Sequence, residues 1–242
     1  MPGTLYVVAT PIGNLEDITL RALRILREVD LIATEDTRRT RILLDHYQIA
    51  GPLTSLYEHN ESQKAPALIR RLQEGASIAL VSEAGTPLIS DPGYRLVHLA
   101  IGQGITVVPI PGAAAVITAL MAAGLPTDRF VFEGFLPKRP GKRRKRLEEL
   151  RDEPRTVIIY ESPRRIYALL GELQALGGDR HVVVARELTK KFEAILRGRI
   201  TEVQARLGER PPLGEVTLIV EGAASQARPQ ASQDPDGPPD PC

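Results

Sequence analysis

The sequence predicts an α/β protein with two domains, a mainly parallel sheet with helices on both faces followed by a mixed sheet. Over the first 124 residues, short and nearly uninterrupted apolar runs alternate with amphipathic helical patterns, which is typical of a parallel sheet covered on both sides. After residue 125, two strand patterns lie so close together that they predict a hairpin. The chain has 242 residues, of which 43% are hydrophobic, enough for two modest cores.

The N-terminal domain, predicted over residues 1–124, is expected to alternate strands and helices. The predicted strands cover residues 5–9, 31–34, 52–57, 77–81 and 106–110. The predicted helices cover residues 17–30, 37–48, 64–74, 91–104 and 112–124. Asp17 is the expected N-cap of the first helix, because its carboxylate can accept a hydrogen bond from a free amide at the helix start.

The C-terminal domain is predicted over residues 125–222. Its strands are expected at residues 130–135, 155–161, 181–187, 192–198 and 215–221, and its helices at residues 142–151, 162–176 and 200–207. Only the sequence LTKK separates the third and fourth of these strands, so they should pair antiparallel. Residues 223–242 are rich in Pro, Ser, Gln and Asp without periodicity, which predicts a disordered tail.

Composition narrows the class of protein. The 31 basic and 30 acidic side chains give a net charge of +1, so overall charge indicates no partner. The single cysteine, Cys242, leaves no internal disulfide and no cysteine metal cluster, and no metal is expected. No apolar run approaches the length of about 18 residues that spans a membrane, and the N-terminus does not resemble a signal peptide. We therefore expect a cytoplasmic protein without a membrane segment.

Three loops of unusual composition follow strands of the N-terminal sheet. The first loop is residues 10–17 (TPIGNLED), the second loop is residues 82–93 (SEAGTPLISDPG) and the third loop is residues 111–116 (PGAAAV). Each combines glycine or proline with small side chains, which let a ligand approach the backbone closely. Ligands of open parallel sheets bind outside the carboxyl ends of the strands. We therefore interpret the three loops as a ligand cradle rather than as ordinary turns.

The common nucleotide-binding motifs are absent from these loops. No GxGxxG follows the first strand and no GxxxxGK[ST] occurs, which argues against dinucleotide and P-loop sites. None of the three loops contains Lys or Arg, so a polyphosphate would find little countercharge. The acids of the second loop, Glu83 and Asp91, suit a ligand that carries hydroxyl groups or positive charge.

A set of motifs makes the interpretation more specific. They are ATPIGNLEDIT, ATEDTRRT, SEAGTPLISDPG, PIPGAAAVITAL, LPTDRFVFEGFLP, YESPRR and ARELTKKFE. In order and spacing, over residues 4–222, they resemble the RsmI-type ribosomal RNA small-subunit methyltransferase branch of the tetrapyrrole (cobalamin-precursor) methylase family. The resemblance implies the two-domain tetrapyrrole-methylase-like fold, S-adenosyl-L-methionine bound between the domains, and a homodimer. It also implies 2′-O-methylation of a cytidine ribose in the decoding region of small-subunit ribosomal RNA.

The resemblance further implies which residues bind the cofactor. In the three loops they are Thr10, Pro11, Ile12, Gly13, Gly85, Thr86, Pro87, Ile89, Ala114 and Ala115. Tyr160 and Glu215 are the counterparts in the second domain, although a tyrosine at a core edge and a surface glutamate would fit those positions equally well. Where this branch usually has Asp, the chain has Glu83, which keeps the acid and lengthens it by one methylene.

Methyl transfer to a ribose hydroxyl gains from a base that removes its proton. Glu35 and Asp36 follow the second strand, at the same sheet edge as the three loops, and either could be this base. Arg38 could contact a substrate phosphate or polarise the two acids. The alternative is structural, with Asp36 or Thr37 as the N-cap of the next helix and Arg38 on its solvated face.

A basic segment, residues 138–146, indicates the substrate class. Its cations are Lys138, Arg139, Lys142, Arg143, Arg144, Lys145 and Arg146. Cations are disfavoured at a helix N-terminus, so binding to an external anion explains them better than a solvated face does. The predicted partner is the phosphate backbone of small-subunit ribosomal RNA, free or in the assembled subunit.

Two other functions remain open from the sequence. One is a small-molecule methyltransferase acting on a tetrapyrrole, which would share the cradle but has no use for the basic segment. The other is an RNA-binding module without catalytic activity, which would not need the cradle. Binding of S-adenosylmethionine separates this second alternative from an enzyme.

Overall fold

The computed structural model describes residues 1–208 and 214–223, so the predicted tail lies outside the described residues apart from Ala223. The chain divides into two compact units. The first unit contains Met1–Ala122 together with Ala185–Ala194, and the second contains Ala123–Val184 and the chain from Ile195 onward. No helix among the described residues is both long enough and apolar enough to cross a membrane.

The first unit holds a parallel sheet. Its strands are β1 (Thr4–Val8), β2 (Leu31–Thr34), β3 (Leu53–Ser55), β4 (Ile78–Val81) and β5 (Thr106–Ile110). They are ordered β3-β2-β4-β1-β5, and each neighbouring pair is parallel. The parallel sheet predicted from the apolar runs is therefore confirmed.

Helices cover both faces of this sheet. They are α1 (Leu20–Glu28), α2 (Thr37–His46), α3 (Glu61–Gln73), α4 (Tyr94–Gly102) and α5 (Ala115–Met121). Leu72 of α3 and Leu96 of α4 join a buried cluster on one side of the sheet. Leu26 of α1 and Leu44 of α2 join a second cluster, which contains Val8 of β1. This two-sided burial explains why the strands are apolar at almost every position.

Most helix starts differ from the prediction by two to four residues, and two of them show the physical reason. The N-cap of α1 is Thr19, whose hydroxyl accepts a hydrogen bond from the amide of Ala22 at 3.1 Å. Asp17 is not the N-cap, because it ends a separate short 3-10 helix, Leu15–Asp17. Helix α3 begins at Glu61, before the predicted start, and the buried Glu61 carboxylate accepts from the amide of Leu96 at 3.1 Å.

The second sheet is mixed, as predicted. Its strands are β6 (Phe130–Phe135), β7 (Thr156–Glu161), β8 (His181–Arg186), β9 (Ala194–Arg199) and β10 (Val216–Val220), in the order β6-β7-β10-β8-β9. Strand β7 pairs parallel with β6 and antiparallel with β10. The neighbours β8 and β9 are flanked by a hydrogen bond from Ile200 N to Arg180 O at 3.0 Å, which fits the predicted hairpin.

Helices α6 (Pro140–Leu150), α7 (Ile166–Gly177) and α8 (Ile200–Leu207) accompany this sheet. Leu147 of α6, Leu169 of α7 and Val203 of α8 belong to one buried cluster, which includes Ile159 of β7. Helix α7 begins later than predicted, because a turn closed by Arg165 N and Ser162 O at 2.9 Å precedes it.

Candidate functional site

The three loops lie at one edge of the first sheet. Strands β4, β1 and β5 are adjacent and parallel, so the loops that follow them leave the sheet side by side. Sequence reasoning predicted this grouping from the rule for ligand sites in open parallel sheets.

Backbone hydrogen bonds join the first loop to the second. Thr10 N donates to Gly85 O at 2.8 Å, and Gly85 N donates to Thr10 O at 3.1 Å. The buried hydroxyl of Ser82 donates to the same Gly85 oxygen at 3.1 Å. The two loops therefore hold each other in place.

The third loop is tied to the other two. Thr86 Oγ1 donates to Ala113 O at 3.0 Å, which links the second loop to the third. A Cβ atom at Gly112 would lie 2.8 Å from Ala9 Cβ, so only glycine lets the third loop pack against the end of β1. Because of these contacts the three loops form one connected structure.

The second loop has an unusual backbone. Gly85 has a φ of +87°, and a Cβ there would lie 3.2 Å from Ile12 Cγ2 and 3.7 Å from Ala113 O. Leu88 and Ser90 have φ values of +73° and +66°. Positive φ is uncommon outside glycine, and such residues cluster at functional sites. This backbone supports the interpretation of the second loop as a ligand cradle.

The structure brings the cofactor-binding residues predicted in this unit to the same edge. They are Thr10, Pro11, Ile12, Gly13, Gly85, Thr86, Pro87, Ile89, Ala114 and Ala115. Ala114 is the N-cap of α5, and Ala115 is the first residue of that helix. The side of the loops that faces solvent includes Ile89, which is 40% exposed.

Gly13 is contacted by a part of the chain that the sequence did not connect to the site. A Cβ at Gly13 would lie 2.5 Å from Lys190 Cγ, 2.8 Å from Thr189 Oγ1 and 2.9 Å from Leu188 O. The turn between β8 and β9 thus packs directly on the first loop, within the first unit. This close approach explains the glycine at position 13.

Carboxylates also gather at this sheet edge. Burial and then the charge of Glu35 raise the pKa of Asp91 to about 6, against the opposing effect of a hydrogen bond with Ser82. Burial and then the charge of Glu83 raise the pKa of Glu35. Arg39 forms an ion pair with Glu83. A carboxylate whose pKa is raised towards neutrality is suited to accept a proton, and Asp91 is the clearest such group here.

Asp36 occupies the N-cap position, which was the structural alternative to its predicted role as a base. It is the N-cap of α2, and its carboxylate accepts from the amides of Arg38 and Arg39 at 2.8 and 3.4 Å. The hydrogen bond from the Arg38 amide is the main cause that lowers the pKa of Asp36. Arg38 itself has a side chain that is 91% exposed, and it remains a proposed substrate contact.

Tyr160 and Glu215, the other predicted cofactor residues, lie in the second unit. The Tyr160 ring, near the end of β7, packs edge-on against Phe132 at 4.9 Å and Phe135 at 5.6 Å between ring centroids. Glu215 is exposed and directly precedes β10. These positions fit the structural alternative, and the cofactor contacts remain predictions.

The basic segment contains two arginines that serve the fold. Arg143 is buried, with 7% of its side chain exposed, and its guanidinium binds Glu161 at 3.2 Å and Glu172 at 2.7 Å. Arg146 binds Glu133 with two nitrogens, at 2.7 and 2.5 Å. These contacts with the fully buried Glu161 and with Glu172 give Arg143 a structural role, and its predicted contact with RNA stays a prediction.

The other cations of the segment face solvent. Lys138, Arg139, Lys142 and Lys145 are exposed on the approach to α6 and on its surface. Arg144 is also exposed, but it pairs with Glu148 at 3.0 Å on the same helix. The prediction of RNA binding now rests chiefly on the first four residues.

The linked loops at the end of a parallel sheet form a candidate ligand-binding site of an α/β protein, and comparison with known proteins shows its family. The family described as Tetrapyrrole (Corrin/Porphyrin) Methylases matches residues 4–204. The uroporphyrin-III C-methyltransferase of Thermus thermophilus, solved in complex with S-adenyl homocysteine, has a similar fold. Its TM-score is 0.63 at 20% identity, covering 93% of this chain and 100% of that one.

Relatives with higher identity specify the branch. The ribosomal RNA small subunit methyltransferase I of Pseudomonas aeruginosa is 56% identical, over 91% of this chain and 79% of that protein. The protein of the same name from Escherichia coli O157:H7 is 55% identical, over 93% of this chain and 79% of that protein. The chain therefore belongs to the tetrapyrrole methylase family, in its ribosomal RNA small subunit methyltransferase I branch.

Proposed function

We propose that the chain transfers a methyl group from S-adenosylmethionine to the 2′-hydroxyl of a cytidine ribose in the decoding region of small-subunit ribosomal RNA. The observation that carries this proposal is the identity above 50% with relatives named for that RNA, over more than nine-tenths of the chain. The linked loops support a role of the first, second and third loops as the binding site of the cofactor.

The cradle fits the proposed cofactor. At Gly85 an added Cβ would lie 3.2 Å from Ile12 Cγ2 and 3.7 Å from Ala113 O, so a larger side chain there would crowd the linked loops. The three loops bring Thr10, Gly85 and Ala114 to one edge of the sheet, without the cations that a polyphosphate would need. S-adenosylmethionine would supply a methyl group already activated by its sulfonium, so the protein has to hold the acceptor oxygen in line.

A carboxylate at the sheet edge would take the proton of the ribose hydroxyl. We propose Asp91 and Glu35 as the leading candidates, since burial, together with the charge of Glu35 on Asp91 and of Glu83 on Glu35, raises the pKa of each. Asp36 is the weaker candidate, because its carboxylate already accepts the first amides of α2. The proton would pass to the carboxylate as the ribose oxygen bonds to the methyl carbon and that carbon leaves the sulfonium sulfur, with S-adenosylhomocysteine as the leaving group.

The exposed cations of the basic segment would bind the RNA backbone. Lys138, Arg139, Lys142 and Lys145 present four charges to solvent, and each phosphate contact releases a counterion. A tetrapyrrole substrate would not require this segment. The uroporphyrin-III C-methyltransferases of known structure share the fold with this chain at about one-fifth sequence identity. Such a similarity indicates a common fold and does not indicate a common substrate. We further propose a homodimer that acts in the cytoplasm on free ribosomal RNA or on the assembled small subunit.

The proposal is tested by offering the purified protein labelled S-adenosylmethionine with three acceptors. These are small subunits lacking the modification, the corresponding free RNA, and uroporphyrinogen III. The proposal expects label in the RNA with one or both of the first two acceptors. Label in the tetrapyrrole alone would support the small-molecule alternative. Absence of cofactor binding in calorimetry would instead support an RNA-binding module.

A further inference from the structure

The turn between β8 and β9 is part of the first unit, although both strands belong to the second sheet. It reaches Gly13 so closely that Lys190 Cγ lies 2.5 Å from the place of an added Cβ. A flexible side chain could yield to such a contact, but the oxygen of Leu188, at 2.9 Å, is backbone. The turn and the first loop are therefore packed as one surface.

The turn has features that packing alone does not require. Glu187 and Thr189 have φ values of +50° and +66°, and positive φ is a clear outlier for a β-branched residue such as threonine. Thr189 Oγ1 is buried and has no hydrogen-bond partner among the described residues. Strained residues and unsatisfied buried groups are concentrated where a protein binds or reacts.

The charged residues of the three loops are all acidic, so a cation at the cradle has to come from another part of the chain. The three loops contain Glu16, Asp17, Glu83 and Asp91 but no Lys or Arg. Arg39 reaches the second loop, where it forms an ion pair with Glu83. Lys190 reaches the first loop from outside the cradle. Its ammonium lies 3.0 Å from Glu187 and the side chain is 29% exposed, so a bound molecule can reach it.

We propose that Lys190 is the cation of the methyl-transfer site, and that its ammonium binds an anionic oxygen group of a molecule held over the first loop. That group is a carboxylate if it belongs to the cofactor, or a phosphate if it belongs to the RNA next to the acceptor ribose. The inference rests on the proposed function, because that function supplies the two molecules.

A purely structural role of Lys190 predicts a different pattern of ligand affinities among variants. If Lys190 only closes the turn through its ion pair with Glu187, then removing either partner should have the same effect. If Lys190 binds the ligand, removing Glu187 should leave the ammonium available and the affinity largely intact. Lys191, which is exposed and adjacent, provides a control with the same change of charge.

The experiment compares Lys190→Met, Glu187→Gln and Lys191→Met in the full chain. Calorimetry with S-adenosylmethionine gives the cofactor dissociation constant, and steady-state methylation of small subunits gives KM and kcat. Loss of a charged hydrogen bond predicts a weakening of roughly 10- to 100-fold for Lys190→Met in one of the two assays. Glu187→Gln and Lys191→Met should stay within about threefold of the parent, the range that loss of a weak exposed ion pair allows.

The two assays distinguish the sources of the anion. A raised cofactor dissociation constant assigns the carboxylate, and a raised KM with unchanged cofactor affinity assigns the phosphate. The proposal is overturned if Lys190→Met matches Lys191→Met in both assays, or if Glu187→Gln is impaired as much as Lys190→Met. A parent protein that binds the cofactor but methylates no RNA would refute the proposed function, and calorimetry would still test Lys190.

Discussion

Thr10 and Gly85 exchange two backbone hydrogen bonds, of 2.8 and 3.1 Å, across the loops that follow β1 and β4. These two bonds keep the chain segments after β1 and β4 side by side beyond the ends of the strands, where the backbone is irregular. It places a glycine of positive φ at the centre of the linked loops. A change at Gly85 is therefore a direct probe of the space that the cradle leaves for a ligand.

Replacing Gly85 by leucine should abolish binding of S-adenosylmethionine while the protein stays folded. Gly85→Ala is the matched control, since its Cβ meets only Ile12 Cγ2 at 3.2 Å and Ala113 O at 3.7 Å. Both variants bear the strain of positive φ, about 1–2 kcal/mol, and only leucine fills the cradle. Calorimetry should show binding by the alanine variant alone. Equal affinities would refute the assignment of the cradle.

Changing Lys138, Arg139, Lys142 and Lys145 together to alanine should weaken binding to RNA and leave cofactor affinity unchanged. If four phosphate contacts are lost, the slope of log affinity against log salt should flatten by about 3 to 4 units. Melting should hardly change, because these side chains are exposed. An unchanged slope would mean that the basic segment is only a solvated surface.

Arg143→Ala should instead destabilise the protein. The change removes one of the two charge partners of Glu161, whose side chain is fully buried and which keeps Arg165. The cost should therefore lie near or below the lower end of the roughly 3–5 kcal/mol for a buried charge left unpaired. Arg144→Ala removes an exposed pair on the same helix and should cost no more than about 0.5 kcal/mol. Chemical denaturation measures both. Equal stability of the two variants would contradict the structural role of Arg143.

The proposed base is identified by single-turnover rates with cofactor and RNA saturating. Asp91→Asn or Glu35→Gln should lower the rate by roughly a hundredfold or more if that carboxylate removes the proton. Asp36→Asn should be nearly silent in rate and in melting, because asparagine is also a good N-cap. Parental rates in both of the first two variants would leave placement of the acceptor as the only source of catalysis.

The pKa of Asp91 also predicts how activity depends on pH. A base must be ionised, so the single-turnover rate should rise up to about pH 6 and then level off. Stability should change in the opposite sense, because a carboxyl whose folded pKa is raised destabilises the fold as pH increases from about 4 to 6. Asp91→Asn should therefore raise the melting temperature more at pH 8 than at pH 4. A rate that does not change between pH 5 and 8 would contradict the assignment.

The sequence predicted the strands and loops that depend on the residues of one short segment. The apolar runs of β2 and β5 end where the strands end, and the composition of the three loops predicted their position at one sheet edge. Asp17 was mistaken for an N-cap because asparagine at position 14 starts a 3-10 helix first, and the competition between two adjacent caps cannot be read from residue type alone.

The parts that the sequence missed depend on contacts between distant residues. The charge of Glu35 raises the pKa of Asp91 because β4 lies next to β2, a strand order that the alternation of strands and helices does not determine. Arg143 resembles its basic neighbours in the sequence, and only its burial between Glu161 and Glu172 distinguishes it from them. The packing of Lys190 on Gly13 joins residues far apart in the chain, and no periodic pattern indicates it.

The central claim is tested most directly by locating the methyl group. Small subunits from a strain lacking the modification are incubated with the protein and deuterated S-adenosylmethionine. The ribosomal RNA is then cut with a base-specific ribonuclease, and mass spectrometry identifies the labelled oligonucleotide and the labelled nucleoside within it. The account predicts labelled 2′-O-methylcytidine at one site of the decoding region, absent with the Gly85→Leu variant. Label on a base, or no label in the RNA of a protein that binds the cofactor, would contradict it.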